Sequence, residues 1–152
     1  MGLPKRWKMA LLMNSGILIE YCLRVNISVA VIQMATIFGW TEHEKGMMLS
    51  AFYWGYTLGQ IPSNFLVYYY GAKHVLGLSV LLSSVLTLLI PAACETSFTV
   101  GLFVRALVGL AASATFPACF HFFPIWVPKA EKTLLVTAVM SGIYLVSFFR
   151  LL

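Results

Sequence analysis

Five long stretches of predominantly apolar residues, separated by short polar connections, constrain the fold of this chain most strongly. A helix needs about 20 such residues to cross a bilayer, and each stretch has about that length. Hydrophobic residues make up 61% of the chain and charged residues only 10%, which is more apolar than a soluble domain of 152 residues can bury. The pattern predicts an all-α, polytopic membrane protein with about five transmembrane helices, at residues 9–34, 46–68, 74–93, 98–123 and 134–152.

The connections between these stretches differ in charge, and the difference predicts an orientation. If the spans alternate, one side of the membrane carries Lys45 together with Glu42, Glu44 and Glu95. The opposite side carries six basic residues, namely Lys5, Arg6, Lys8, Lys73, Lys129 and Lys132. Because Lys and Arg are enriched in cytoplasmic flanks, the N-terminus is predicted to be cytoplasmic, in a membrane that the sequence does not identify.

Local signals within the stretches predict where helices begin, bend and approach one another. Thr41 followed three residues later by Glu44 forms a capping box, which starts the second helix. Gly55-x-x-x-Gly59 gives that helix a face of small residues, on which a neighbouring helix can pack closely. Pro117 and Pro124 are places where the fourth helix is expected to bend.

Several classes of function find no support in the chain. It contains no nucleotide-binding loop, catalytic triad or carboxylate pair, so it is not predicted to be an enzyme. The three cysteines, Cys22, Cys94 and Cys119, are dispersed without paired spacing, so neither a metal site nor a cofactor is predicted. The basic residues are divided between membrane flanks and helix interiors, which argues against nucleic acid as a partner.

Arg24 and Arg105 lie inside two different apolar stretches. An arginine near the bilayer centre costs at least about 2.5–3.5 kcal/mol, so it is retained where it faces a protein interior or a cavity. Arg24 lies near the middle of its span and Arg105 roughly 10 Å from the outer end of its own, so the two can reach a common depth. A pair of guanidinium forks suits a carboxylate or a phosphate. We therefore expect a site for a small anionic substrate inside the membrane.

Other polar side chains accompany Arg24 on the predicted helices. Glu20 precedes it by four residues, so the two can meet on one helix face, and Tyr21 shares much of that face. The pair is either a self-neutralising structural contact or part of a substrate or ion site. Tyr53 and Tyr56 either present their hydroxyls to a cavity or pack as ordinary aromatic residues. Since an anion at Arg24 would compete with the carboxylate, Glu20 is also a candidate for ion coupling.

Short motifs along most of the chain resemble one transporter family. They include Leu23-Arg24-Val25-Asn26-Ile27-Ser28, Ser50-Ala51-Phe52-Tyr53-Trp54-Gly55-Tyr56, Gln60-Ile61-Pro62 and Ser141-Gly142-Ile143-Tyr144-Leu145. The chain resembles the anion:cation symporters of the major facilitator superfamily, the group of sialin, the vesicular glutamate transporters and the plant organellar anion transporters. The resemblance implies twelve helices in two halves and transport of organic or inorganic anions, in symport with protons or sodium.

The resemblance also implies roles for individual residues. Arg24 and Arg105 match the anion-coordinating arginines of the family, and Tyr21, Tyr53 and Tyr56 match positions that line its cavity. All five are therefore expected to bind substrate.

The chain departs from the family pattern at charged positions. Ala112 and Val108 occupy positions of the fourth helix where the family carries acids, and Glu20 replaces a residue that is usually uncharged. Only five of the six helices of the first half are expected in residues 1–152. The chain is therefore interpreted as an incomplete N-terminal half that works within a longer transporter, together with a complementary C-terminal half. The alternative is a truncated, transport-inactive fragment that acts only as an interaction partner or has no function.

Overall fold

The computed structural model of the protein describes residues 5–126 and 132–151. These residues form helices and no strand, which confirms the predicted all-α class. The helices are α1 (Lys5–Phe38), α2 (Glu42–Tyr70), α3 (Ala72–Thr96), α4 (Phe98–Ala112), α5 (Thr115–Trp126) and α6 (Lys132–Leu151).

The boundaries of α2 follow from its sequence. Thr41 has extended backbone angles, and its side chain accepts a hydrogen bond from the Glu44 amide. In return, the Glu44 carboxylate accepts a hydrogen bond from the Thr41 amide at 2.8 Å. The predicted capping box is therefore confirmed. At the other end, Gly71 adopts φ = 81°, a conformation that favours glycine, and separates α2 from α3 by one residue.

The capping box makes the start of α2 sensitive to acid. The Glu44 carboxylate accepts hydrogen bonds from the Thr41 backbone amide and hydroxyl, and these bonds lower the pKa of Glu44 below its ordinary value. A lowered pKa in the folded state means that the stabilisation is present above the unfolded-state pKa and is lost as the pH falls through the folded-state value. We expect hydrogen-exchange protection of the Thr41 amide to decrease over that acidic range.

Two substitutions distinguish this effect from general acid unfolding. Glu44→Gln retains an acceptor and should keep the Thr41 amide protected without the acid dependence. Glu44→Ala should lose the protection at every pH. Equal protection of the Thr41 amide near neutral pH in Glu44→Ala and in the original chain would contradict the expectation.

The fourth predicted span, residues 98–123, is not one continuous helix. It is divided into α4 and α5 at Ser113 and Ala114. Pro117 has no amide hydrogen to donate to the Ser113 carbonyl four residues earlier, so the hydrogen-bonding pattern of the helix is broken there. The division lies just before Pro117, one of the two places where a bend was expected, whereas Pro124 lies inside α5.

Helices α2 and α4 pack with their backbones in close contact. A methyl group added at Gly55 would overlap the backbone carbonyl of Ala106, and one added at Gly109 would overlap that of Phe52. A methyl group at Gly59 would meet the carbonyl of Leu110 and the side chain of Ser113. The predicted packing role of the small residues is therefore confirmed.

Helix α1 packs against α3 and α6. The Asn14 amide nitrogen donates to the carbonyls of Ala138 at 2.7 Å and Val139 at 3.1 Å, which fixes α6 against α1. Two apolar clusters lie along α1. One is near its N-terminal half and includes residues of α2, α3, α5 and α6, and the other is near its C-terminal half and includes residues of α2, α3 and α4. Glu20 lies between the α1 residues of the two clusters, Ile17 and Ile27.

Many large apolar side chains are exposed on the outside of this bundle. Ile37, Leu58 and Leu88 are each more than 70% exposed, as expected for surfaces that face lipid rather than water. Among the described residues, three segments are long and apolar enough to cross a membrane, namely Trp7–Phe38, Ala72–Thr96 and Phe98–Pro124. Membrane crossing by α2 and α6 stays a prediction.

Candidate functional site: a cavity lined by two arginines

A cavity of about 620 Å³ lies between α1, α2 and α4. It extends from the middle of α1 to the first turn of α2. The polar residues that line it are Arg24, Ser28, Glu42, Lys45, Tyr53 and Arg105. The two arginines that were expected to reach a common depth therefore open onto the same space.

Arg24 is held at this cavity by aromatic residues of α2. One of its terminal nitrogens donates a hydrogen bond to the Tyr53 hydroxyl at 2.8 Å. Its guanidinium carbon lies 4.9 Å from the centroid of the Tyr53 ring and 5.3 Å from that of Phe52. Cation–π contacts of this kind stabilise an arginine without neutralising it, so Arg24 remains available to an anion.

Arg105 is more deeply buried. Its side chain is 2% exposed, and its guanidinium carbon lies 4.8 Å from the centroid of the Phe52 ring. Its Nε atom is buried and has no hydrogen-bond partner among the described residues. A buried donor without a partner costs free energy, and a charged one costs more. An acceptor entering the cavity would remove part of that cost.

The electrostatics of the cavity favour a negative ligand. Phe52 contacts both guanidinium groups, which brings two positive charges to one ring. Within the described ranges, no carboxylate forms an ion pair with Arg24 or Arg105. The acid at the mouth, Glu42, pairs instead with Lys45 at 2.6 Å. An uncompensated pair of cations in a partly buried cavity can bind one anion through two forks.

A second, smaller cavity of about 20 Å³ lies between α1, α2, α4 and α5. Glu20, Tyr21 and Tyr56 line it, together with Thr115 on α5. Of the three tyrosines expected at the substrate site, only Tyr53 lines the larger cavity, whereas Tyr21 and Tyr56 line the smaller one. Arg24 borders both.

Glu20 and Arg24, which could meet on one helix face, do not form a hydrogen bond or an ion pair with each other. The Glu20 carboxylate accepts a hydrogen bond from Ser83 on α3 at 2.8 Å, whereas Arg24 donates to Tyr53 on α2. Residues four apart share a helix face, but α3 and α2 approach that face from different sides, and each side chain binds the partner nearer to it. The self-neutralising pair is therefore not formed.

Phe52 and Ser28 also line the cavity, although neither was predicted to do so, and Lys45 was expected only as a flanking charge. Phe52 could have been found from its place three residues before Gly55, which puts it on the packed face of α2. Ser28 lies four residues after Arg24, and its hydroxyl donates to the Arg24 carbonyl at 3.1 Å.

Comparison with known proteins identifies the family of the chain. The model of the Major Facilitator Superfamily matches residues 13–149. Vesicular glutamate transporter 2 of Homo sapiens is 34% identical over an alignment 158 positions long, which covers 94% of this chain and 27% of the relative. Sodium-dependent phosphate transport protein 1, chloroplastic, of Arabidopsis thaliana is 37% identical over 142 aligned residues, which cover 93% of this chain and 28% of the relative.

The chain thus spans little more than a quarter of the length of these curated relatives. The family match nevertheless covers most of the chain, including the four motifs quoted above and both cavity arginines. By fold, motifs and family match, the chain belongs to the major facilitator superfamily, and its relatives agree with the anion:cation symporter group that its motifs resemble.

Proposed function

We propose that this chain forms part of an anion transporter and that the cavity between α1, α2 and α4 binds the transported anion. The observation that carries the proposal is the placement of Arg24 and Arg105 on one cavity without a carboxylate counter-ion in the described ranges. Tyr53 would contribute its hydroxyl beside Arg24. Tyr21 and Tyr56 would act from the smaller cavity, next to the anion rather than in contact with it.

The substrate class follows from the shared chemistry of the ligand groups. Guanidinium forks bind carboxylates and phosphates in a bidentate manner. The relatives are named for glutamate and for phosphate, and both anions present such oxygen pairs. We propose small carboxylate or phosphate anions as substrates, with protons or sodium as the coupling ion. Alternating access by rocking needs two halves, so a complementary half would supply the opposite wall of the cavity.

Direct binding measurements test the site on the chain itself. The purified chain in lipid nanodiscs should bind radiolabelled inorganic phosphate or L-glutamate saturably, in a phosphate-free buffer. The double variant Arg24→Gln/Arg105→Gln should lose that binding, because both forks are removed. Lys8→Gln, which removes an exposed charge on α1, should bind like the original chain.

Two results would contradict the proposal. One is the absence of saturable binding of both anions by a chain whose helical circular dichroism is intact. The other is unchanged binding in the double variant. Uptake into proteoliposomes, with and without a complementary half, then separates a transporter part from a transport-inactive fragment. The inactive alternative predicts no uptake in either setting.

We also propose that the N-terminus is cytoplasmic, with Lys73 on the same side and with His43 and Glu95 outside. Lys129, which was expected on the same side of the membrane as Lys73, lies outside the described residues. After replacement of the three native cysteines, His43→Cys and Glu95→Cys should react with an impermeant maleimide added to intact cells. Lys73→Cys should react only after permeabilisation. Labelling of Lys73→Cys from outside would overturn the orientation.

A further inference from the structure

Glu20 is a buried acid that the proposed anion site does not use. Its side chain is 7% exposed, and its carboxylate accepts a hydrogen bond from Ser83, which is fully buried. Within the described ranges, no basic side chain lies within ion-pair distance of it. A permanently charged carboxylate in such a place is costly, and a bound proton would relieve that cost.

The Ser83 hydroxyl can serve either protonation state of Glu20. Its oxygen lies 2.8 Å from the Glu20 carboxylate and 3.1 Å from the Val80 carbonyl, but a hydroxyl has only one hydrogen to donate. When Glu20 is charged, Ser83 donates to the carboxylate. When Glu20 is protonated, its own O–H donates to the Ser83 oxygen, and the Ser83 hydrogen turns to the Val80 carbonyl. No buried partner of Glu20 is left unsatisfied in either state.

The smaller cavity gives Glu20 a polar neighbour and a path. Thr115 lines this cavity, is 4% exposed, and its hydroxyl has no hydrogen-bond partner among the described residues. A volume of about 20 Å³ has room for one water molecule. Arg24 and Phe52 line both this cavity and the larger one, so they form the boundary between Glu20 and the anion site.

The charges around Glu20 come from two helices. On α1, Arg24 and Tyr21 share its cavity, and on α2 Tyr56 does. The neighbouring elements α3 and α5 present the uncharged hydroxyls of Ser83 and Thr115. Arg24 is therefore the only described cation beside this acid, and it is the same residue that borders the anion cavity.

We infer that Glu20 is a proton-binding site, and that anion binding at Arg24 favours proton uptake by Glu20. This inference rests on the proposed function for the link to the anion. The proton comes from water through the smaller cavity and binds the carboxylate, and the Ser83 hydrogen shifts from Glu20 to the Val80 carbonyl. An anion at Arg24 offsets the positive charge that otherwise favours the carboxylate form. One proton would thus be taken up with the anion.

Infrared spectroscopy of the full chain in lipid nanodiscs tests the proton site. A protonated buried carboxylic acid gives a carbonyl band apart from the carboxylate bands. We expect such a band to grow as the pH falls, to be absent in Glu20→Gln, and to change frequency in Ser83→Ala. Glu95→Gln, a matched change at the exposed end of α3, should leave the band intact. A band that survives in Glu20→Gln, or that follows sodium concentration instead of pH, would overturn the inference.

The link to Arg24 is tested on the same band without relying on anion binding. Arg24→Gln should raise the pH at which half of the band remains by about 1 unit, because a nearby positive charge is removed. Lys8→Gln, which removes an exposed cation near the start of α1, should leave that midpoint unchanged. An unchanged midpoint in Arg24→Gln would overturn the link.

Inorganic phosphate should then raise the midpoint of the original chain in the same direction. If phosphate binds and the midpoint stays, the link fails. If phosphate does not bind but Arg24→Gln moves the midpoint, the proton site is supported, and only the proposed anion site fails.

Discussion

Arg105→Lys is expected to weaken binding of inorganic phosphate by about 10- to 100-fold. Lysine keeps the positive charge but replaces a planar fork of donors by a single ammonium group, which cannot bind an anion in a bidentate manner. The contact of the guanidinium with the Phe52 ring, at 4.8 Å, would also be lost. The expected loss corresponds to about 1.4–2.8 kcal/mol of binding free energy. Equilibrium binding to the chain in lipid nanodiscs measures it.

The control for this substitution is the reverse exchange at a neighbouring cation. Lys45→Arg also conserves charge at the same cavity, but Lys45 is paired with Glu42 and lies at the mouth. We expect its phosphate affinity to change less than threefold (about 0.65 kcal/mol). Near-normal affinity in Arg105→Lys would show that the guanidinium fork of Arg105 does not hold the anion.

Gly109→Ala is expected to destabilise the bundle by about 1–3 kcal/mol. The added methyl group would overlap the backbone carbonyl of Phe52, and a backbone atom cannot move aside as a flexible side chain can. Gly55→Ala should have the same effect, since its methyl group would overlap the Ala106 carbonyl. Reversible unfolding in detergent measures the free energy in each case.

The matched controls are glycines of the same bundle without such neighbours. Nothing lies within 4 Å of a methyl group placed at Gly77 or at Gly46. Since alanine is a better helix former than glycine, Gly77→Ala should be neutral or stabilising by up to about 1 kcal/mol. Equal stability of Gly109→Ala and Gly77→Ala would mean that α2 and α4 are not in backbone contact.

The elements that could be predicted are those set by local sequence. The capping box at Thr41 and the glycine face of α2 depend on residues three or four apart, and both are present. The break before Pro117 is local too, but the sequence alone does not decide between a bend and a division into two helices. The common depth of the two arginines could be predicted because depth in a membrane follows from position in a span.

The direction of a polar side chain could not be predicted in the same way. Glu20 and Arg24 share a helix face, yet Glu20 contacts Ser83, 63 residues away, and Arg24 contacts Tyr53, 29 residues away. Such partners depend on how three helices meet, and no local spacing encodes that. For the same reason, the sequence did not show that Tyr53 and Tyr56, which were expected at one site, would line two different cavities.

The backbone contact between α2 and α4 has a mechanical consequence. Helices that touch through side chains can slide as those side chains change rotamer, but a seam of main-chain atoms resists such sliding. Tyr53 on α2 and Arg105 on α4 are then expected to move together, as parts of one rigid unit. Arg24 belongs to α1, which contacts that unit through side chains, as in the hydrogen bond from Arg24 to Tyr53. A displacement of α1 relative to α2 and α4 would therefore change the distance between the two arginines, and with it the affinity for an anion.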